Sequence, residues 1–148
     1  GAAPAGGTVL ALSCDYRLGT AATKMGLTET AIGMVPPAWL IALADRTLGS
    51  IQSERVLQSG AILKGEDALQ VGYLDELTEP QDLLKHAIDR AGEMSHGFSA
   101  ARAETKRLQR KEVADLAGPA SVQMMWERVA SAPFQSAVSA VMARLKAR

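Results

Sequence analysis

Apolar residues follow a helical period over much of this chain. After Pro36 and Pro37, the stretch AWLIALADRTLG has apolar positions at helical spacing and ends at Gly49, which predicts a helix. The next stretch, SIQSERVLQSG, closes on Gly60 and predicts a second helix. A third, shorter helix is expected from Gly65, because acidic residues follow it where the helix dipole favours negative charge.

Short extended pieces are expected around these helices. The start, GAAPAGGTVLALS, predicts a glycine-rich turn that enters a short helix from about Ala5 to Ser13. CDYRLGT and TKMGL predict two extended pieces around a turn. GYLDEL predicts a strand from Gly72, and Pro80 can begin a helix that runs to about Met94.

The rest of the chain predicts helices alone. One long helix is expected from Ser99 to Leu116, and another from Pro119 onward, interrupted at Pro133. We therefore predict an α/β fold class, with an α/β part over residues 1–98 and a helical C-terminal region over residues 99–148.

Composition and charge exclude several classes of function. The 148 residues are 47% hydrophobic, enough for one domain with a core. Net charge is zero, which argues against a dedicated nucleic-acid binder. The charges are unevenly placed, with seven Lys/Arg and twelve Asp/Glu in residues 1–98 but nine and four in residues 99–148. Apolar stretches are too short for a membrane span, and a single cysteine favours a reducing compartment.

One carboxylate, Glu29, has unusually apolar neighbours. In KMGLTETAIGMVPP it is surrounded by Leu27, Ile32, Met34 and Val35. Such surroundings desolvate a carboxylate and make it a stronger base once a substrate excludes water. The alternative is that Glu29 caps or decorates a turn at the surface.

Other reactive residue types have simpler interpretations. Asp15 lies two residues from Arg17, which predicts a structural ion pair or a strand-end hydrogen bond. His86 and His96 lack cysteine or carboxylate partners at ligand spacing, so no metal site is expected. Cys14 has only Arg17 nearby to activate it and is expected in the core.

Two further patterns could bind anions. The turn at Gly6 and Gly7 would present backbone N–H groups at a helix start, although a purely structural turn fits equally. Arg102, Lys106 and Arg110 follow a four-residue spacing on the predicted helix, with a second basic strip, Arg107 and Lys111, beside them. That face could bind the phosphates of a ligand or of RNA or could simply be solvated, and the lack of interleaved aromatic residues argues against RNA.

Taken in order, GAAPAGGTVLALSCDYR, MGLTETAIGMVPPAWL and SERVLQSGAILKGEDALQVGYLDEL resemble the crotonase (enoyl-CoA hydratase/isomerase) superfamily. Within it, the likeness is greatest to the mitochondrial 3,2-enoyl-CoA isomerases of fatty acid β-oxidation. The resemblance runs from Gly1 to about Leu116 and covers the C-terminal half to two-thirds of a family member. It implies a crotonase-like ββα spiral fold truncated at the N-terminus, a C-terminal trimerisation region, a homotrimer and a mitochondrial matrix location.

The resemblance also implies roles for particular residues. Glu29 matches the catalytic glutamate of the isomerases, and Gly6 matches a glycine whose N–H is one of two oxyanion donors. Thr28 matches a position that contacts substrate, where Asn is common in close relatives. Val9 replaces the first catalytic glutamate of the hydratases. Trp39, ten residues after Glu29, could line the acyl pocket or belong to the core.

The implied substrate is an enoyl-CoA thioester, and no separate cofactor or metal is expected. Isomerisation needs one base whereas hydration suits two carboxylates, so Glu29 with Val9 favours the isomerase. The alternatives are a 2-enoyl-CoA hydratase-like enzyme and a non-catalytic assembly or RNA-binding module. In the family, the second oxyanion donor and the CoA-binding loop come from the N-terminal half, so this chain alone is expected to be poorly active.

Overall fold

Helices and short strands alternate up to Leu77 and helices alone follow it in the computed structural model, which describes residues 1–96 and 99–146. The helices are α1 (Gly6–Leu12), α2 (Ala38–Leu48), α3 (Ser50–Ser59), α4 (Gly65–Gln70), α5 (Leu83–Met94), α6 (Ser99–Gln109), α7 (Lys111–Leu116), α8 (Pro119–Val129) and α9 (Ala132–Lys146). The strands are β1 (Ala2–Pro4), β2 (Leu18–Gly19), β3 (Lys24–Gly26), β4 (Leu63–Lys64) and β5 (Glu76–Leu77), and a 3₁₀ turn spans Thr30–Ile32. The predicted boundary at residue 98 lies outside the described residues.

Two strands of the larger sheet lead to the candidate site. β1 and β3 are parallel, with Pro4 paired to Gly26, and β4 joins the other side of β3 in antiparallel orientation. β2 and β5 form a separate parallel pair. Because the carboxyl ends of parallel strands meet at one edge, the segments after Pro4 and Gly26 leave the sheet side by side.

The buried core packs against the strand that forms this edge. Met25 of β3 and the adjoining Leu27 are among the largest fully buried side chains, together with Tyr73. The buried apolar cluster consists of Leu12, Met25, Leu27, Leu40, Leu43, Ala44, Val56, Leu57, Ala68, Tyr73 and Leu74. It joins α1, β3, α2, α3 and α4, so the strand that leads to Glu29 is fixed by most of the α/β part.

The two helices after the double proline end where the sequence predicts. α2 begins directly after Pro37 and ends at Leu48, and α3 ends before Gly60. Gly49 and Gly60 have φ angles of 78° and 60°, a region that favours glycine, which explains why both helices end there. None of the helices in ranges 1–96 and 99–146 is long and apolar enough to cross a bilayer.

The C-terminal helices differ from the prediction in where they break. The single helix expected from Ser99 to Leu116 is divided at Arg110, which leaves the helical conformation with φ −101° and ψ 1°. This break lets α7 pack against α2. The interruption expected at Pro133 occurs instead at Ala130 and Ser131, because proline is tolerated in the first turn of α9, where its missing N–H costs nothing.

Asp15 forms a structural ion pair, but its predicted partner is wrong. Lys106 and Arg110 contact its carboxylate at 2.7 and 2.6 Å. Arg17 instead pairs with Asp75 at 2.7 Å. Asp15 therefore ties Lys106 of α6 and Arg110, which follows α6, to the segment after α1.

The remaining basic residues and Cys14 also have defined surroundings. Arg107 pairs with Glu104, and Lys111 pairs with Asp115, so both cations of the second strip have carboxylate neighbours. Cys14 is exposed, which makes its predicted place in the core wrong. It lies two residues after the last residue of α1, Leu12, and its Sγ contacts the Leu10 carbonyl at 3.4 Å.

The Asp15 cluster should make stability depend on acid pH. A hydrogen bond from Lys106 lowers the pKa of the Asp15 carboxyl, opposed in part by burial and aided by the charges of Lys106 and Arg110. A carboxyl group has a pKa of about 3.9 in the unfolded chain. When folding lowers that pKa, the group stabilises the fold at pH values above the unfolded pKa. This contribution is lost as the pH falls through the pKa of the folded protein. The pair is partly exposed, so we expect Asp15→Asn to cost only about 0.5 kcal/mol at pH 7.

Urea unfolding of Asp15→Asn and wild type from pH 2.5 to pH 7 measures this contribution. The difference between the two proteins should disappear at the acid end and shrink in high salt, because salt screens exposed charges. A difference that stays constant across the pH range would contradict the assignment.

Candidate active site

Glu29 lies where the chain leaves β3 and enters the 3₁₀ turn. Its carbonyl accepts the N–H groups of Ile32 at 3.1 Å and Met34 at 2.9 Å. Gly33, with a φ of 75°, closes the turn. These hydrogen bonds fix the Glu29 carbonyl to the turn that follows it.

The Glu29 side chain is largely buried, and one of its two oxygens lacks a hydrogen-bond partner in the described residues. The residue is only 7% exposed, and its Oε2 has no hydrogen-bond partner among residues 1–96 and 99–146. Leaving a buried polar atom unpaired costs about 1–3 kcal/mol, so native folds rarely keep one without a reason. The interpretation of Glu29 as a surface cap is wrong, since its side chain makes no capping hydrogen bond and is buried.

The glycine turn that leads into α1 is strained. Ala5 has φ 52° and ψ −121°, the one positive φ outside glycine in the described part of the chain. Its N–H donates to the Gly26 carbonyl at 2.7 Å, which extends the pairing of β1 with β3. Strain of this kind costs about 1–3 kcal/mol and commonly occurs at functional sites.

The strained residue directs the chain into α1 at Gly6. The first N–H groups of a helix lack intrahelical acceptors, so those of Gly6 and Gly7 are free to meet a ligand atom. A Cβ built on Gly6 would meet nothing within 4 Å, which places open space beside this residue. Open space and unpaired donors are what an oxyanion site requires.

A buried threonine couples the two sides of the site. The Thr8 hydroxyl donates to the Ala3 carbonyl at 2.7 Å and accepts the Gly26 N–H at 2.8 Å. Thr8 belongs to α1 and is fully buried. Together with the parallel register, this bridge sets the start of α1 against the segment that carries Glu29.

The other predicted site residues are less closely tied to the carboxylate. Thr28 is half-buried directly before Glu29. Trp39 and Val9 are half-buried and pack against the apolar cluster of the core. The packing of Trp39 agrees with the interpretation of that residue as core.

A second carboxylate does not accompany Glu29 from the first forty residues. Asp15 lies beyond the other end of α1, in a cleft of about 1240 Å³ that is also lined by Lys106 and Arg110. Neither Gly6 nor Glu29 lines that cleft. The described ranges also contain no group of three His, Cys, Asp or Glu side chains suited to a metal ion.

Tyr73 is the residue near Glu29 that sequence reasoning misses. It is fully buried, and its hydroxyl accepts the Leu27 N–H at 3.3 Å. Burial raises the pKa of Tyr73 to about 12, the Leu27 hydrogen bond opposes the rise, and the Glu29 charge adds to it. Tyr73 lies 46 residues from Leu27 in the chain, inside a stretch whose pattern predicts only a strand.

The family and structure comparisons agree with this geometry. The enoyl-CoA hydratase/isomerase family model matches residues 1–142. This chain belongs to that family. Enoyl-CoA delta isomerase 1, mitochondrial, from Homo sapiens is 35% identical over 116 residues, which are 77% of this chain and 38% of that protein. The Rattus norvegicus protein of the same name is 39% identical over 120 residues, covering 78% of this chain and 40% of the relative.

A solved structure confirms the fold class. Human mitochondrial delta3-delta2-enoyl-CoA isomerase superposes with a TM-score of 0.91 at 32% identity, covering 99% of this chain and 58% of that one. The α/β crotonase fold with a helical C-terminal region is therefore confirmed. The chain spans about two-fifths of the length of the two mitochondrial relatives.

Proposed function

We propose that this chain carries the catalytic base of an enoyl-CoA delta isomerase, which moves the double bond of a 3-enoyl-CoA to the 2-trans position. The observation that carries the proposal is the buried Glu29 side chain, whose Oε2 lacks a hydrogen-bond partner in the described residues. Glu29 follows β3, the strand paired with the one that leads into the glycine turn. The mitochondrial isomerases among the relatives support the choice of substrate class.

Glu29 would act as a proton shuttle. Its carboxylate takes a proton from carbon two, and the C–H electrons pass into an enolate whose negative charge lies on the thioester oxygen. The Gly6 N–H donates to that oxygen. The protonated Glu29 then returns the proton to carbon four, which leaves the double bond between carbons two and three. The net change is a shifted double bond, with no water or cofactor consumed.

The absence of a second carboxylate beside Glu29 in the described α1 segment favours isomerisation over hydration. Val9 packs against the core at the position where the resemblance places a hydratase glutamate. Asp15, the other carboxylate of the first forty residues, is tied to Lys106 and Arg110. Thr28 would contact the substrate, and Trp39 would support the acyl pocket through core packing.

Assembly and location are further proposals. Val122, Met124, Trp126 and Met142 on α8 and α9 are 44–66% exposed, which fits a role for these helices in subunit contacts. We propose a homotrimer, which analytical ultracentrifugation would measure. A mitochondrial location would follow the names of the mitochondrial relatives.

The test uses this chain alone and a chimera in which the N-terminal portion of the human isomerase precedes Gly1. The chimera should convert 3-hexenoyl-CoA to 2-trans-hexenoyl-CoA, followed by the absorbance of the conjugated thioester. We expect the chain alone to be much slower, because the family resemblance places the second oxyanion donor outside it. Hydration of 2-hexenoyl-CoA without isomerisation would support the hydratase, and a chain as fast as the chimera would contradict the expected dependence.

A further inference from the structure

Tyr73 contacts the short connection between β3 and Glu29. The Leu27 N–H, which follows the last residue of β3, donates to the Tyr73 hydroxyl at 3.3 Å. Both residues are 0% exposed, so water does not compete for this hydrogen bond. The phenol is thus a fixed acceptor for the amide of Leu27, which lies two residues before the candidate base in the chain.

Tyr73 is itself held in place by the end of α4. Its N–H donates to the Ala68 carbonyl at 2.9 Å, and the Leu74 N–H donates to the same carbonyl at 3.2 Å. Ala68 is fully buried in α4. A side chain anchored in this way can transmit the rigidity of the core to a neighbouring segment.

The Tyr73 hydroxyl also has hydrogen-bonding capacity that the Leu27 amide does not use. A phenol hydroxyl can donate one hydrogen bond while it accepts others. In Tyr73 the oxygen accepts from Leu27, which leaves its proton available. The Glu29 charge acts on the Tyr73 phenol, and Oε2 of Glu29 has no donor within the described residues.

We propose that Tyr73 is a positioning residue for Glu29: its hydroxyl fixes the Leu27 amide, two residues before the residue that carries the carboxylate. The inference rests on the proposed role of Glu29 as the base. Without the hydroxyl, the segment from Leu27 to Glu29 would keep its apolar packing. It would lose the hydrogen bond from the Leu27 N–H, which fixes the orientation of the segment. The carboxylate would then be present but less well placed for proton transfer.

Tyr73→Phe and Tyr16→Phe form a matched pair for the first test. Both remove a phenol hydroxyl, but that of Tyr16 contacts Glu76 rather than the Leu27 segment. By hydrogen exchange in the 148-residue chain, the Leu27 amide should exchange about fivefold faster in Tyr73→Phe, as loss of one hydrogen bond predicts. In the chimera, Tyr73→Phe should lower kcat at least tenfold and change KM less than twofold. Tyr16→Phe should change neither property. Unchanged Leu27 exchange, or kcat within twofold of wild type, would overturn the proposal.

A second measurement leaves Tyr73 intact and does not depend on turnover. The chain has two tyrosines, so Tyr16→Phe leaves Tyr73 as the only one. With ¹³C at the tyrosine Cζ, the NMR signal of Tyr73 at one fixed pH should change on Glu29→Gln, since the Glu29 charge acts on the phenol. An unchanged Cζ signal would overturn the proposal, because a positioning residue must lie close to the side chain it positions. If wild type and Tyr16→Phe are both inactive, the proposed function fails, while the Cζ signal and Leu27 exchange still decide whether Tyr73 positions Glu29.

Discussion

Glu29→Gln should reduce isomerase turnover of the chimera by at least about a thousandfold, within the range expected when a general base is removed. Glutamine has nearly the same shape but cannot accept the proton at carbon two or return it at carbon four. Glu29 is 7% exposed, and its Oε2 has no hydrogen-bond partner among the described residues, so the substitution breaks no hydrogen bond to that atom. We therefore expect the free energy of unfolding to change by no more than about 1 kcal/mol. Steady-state kinetics and urea unfolding of the same preparation separate these two effects.

Glu54→Gln is the matched control for this substitution. Glu54 is exposed on α3, where its carboxylate accepts a hydrogen bond from Gln58 at 3.1 Å. The same chemical change there should leave turnover within twofold of wild type. CoA thioester binding, measured by calorimetry, should survive Glu29→Gln, because the carboxylate serves the reaction rather than the nucleotide. Turnover retained in Glu29→Gln would refute the one-base mechanism.

The helices that sequence predicts best are those whose ends carry local signals. α2 begins after Pro37 and ends before Gly49, and both signals act within one turn of the helix they delimit. β1 and β4 are only three and two residues long and exist because β3 pairs with both. Their strand conformation depends on partners elsewhere in the chain, so a local pattern could not reveal it.

The candidate site shows the same division between local and distant information. Glu29 could be singled out because its apolar neighbours are adjacent in sequence. The partners of Asp15 could not, since Lys106 lies 91 residues away and Arg17, the nearest cation, pairs elsewhere. Tyr73 is hidden for the same reason, because its contact with Leu27 spans 46 residues. Residues that position a site from a distance therefore need the folded structure to be found.

Gly26→Ala should destabilise the fold by about 3 kcal/mol or more, the upper range for overpacking a core. A Cβ on Gly26 would lie 2.4 Å from the Ala61 carbonyl oxygen and 3.0 Å from the Ile62 Cα. Both atoms belong to backbone, which cannot rotate away as a side-chain tip can. Relief requires β3 to move away from the Ala61–Ile62 segment, and the Gly26 carbonyl that accepts the Ala5 N–H would move with it. Urea unfolding should show a lower midpoint.

Gly92→Ala provides the opposite expectation for the same substitution. Gly92 lies inside α5, and a Cβ there would meet nothing within 4 Å, so alanine should stabilise the helix by about 0.5–1 kcal/mol. Because β3 leads to Glu29 and pairs with the strand before Gly6, Gly26→Ala should also reduce isomerase turnover in molecules that remain folded. An unfolding midpoint for Gly26→Ala equal to that of wild type would mean that the segment after Gly60 yields at little cost. The edge of the sheet would then not be the rigid support that the proton shuttle requires.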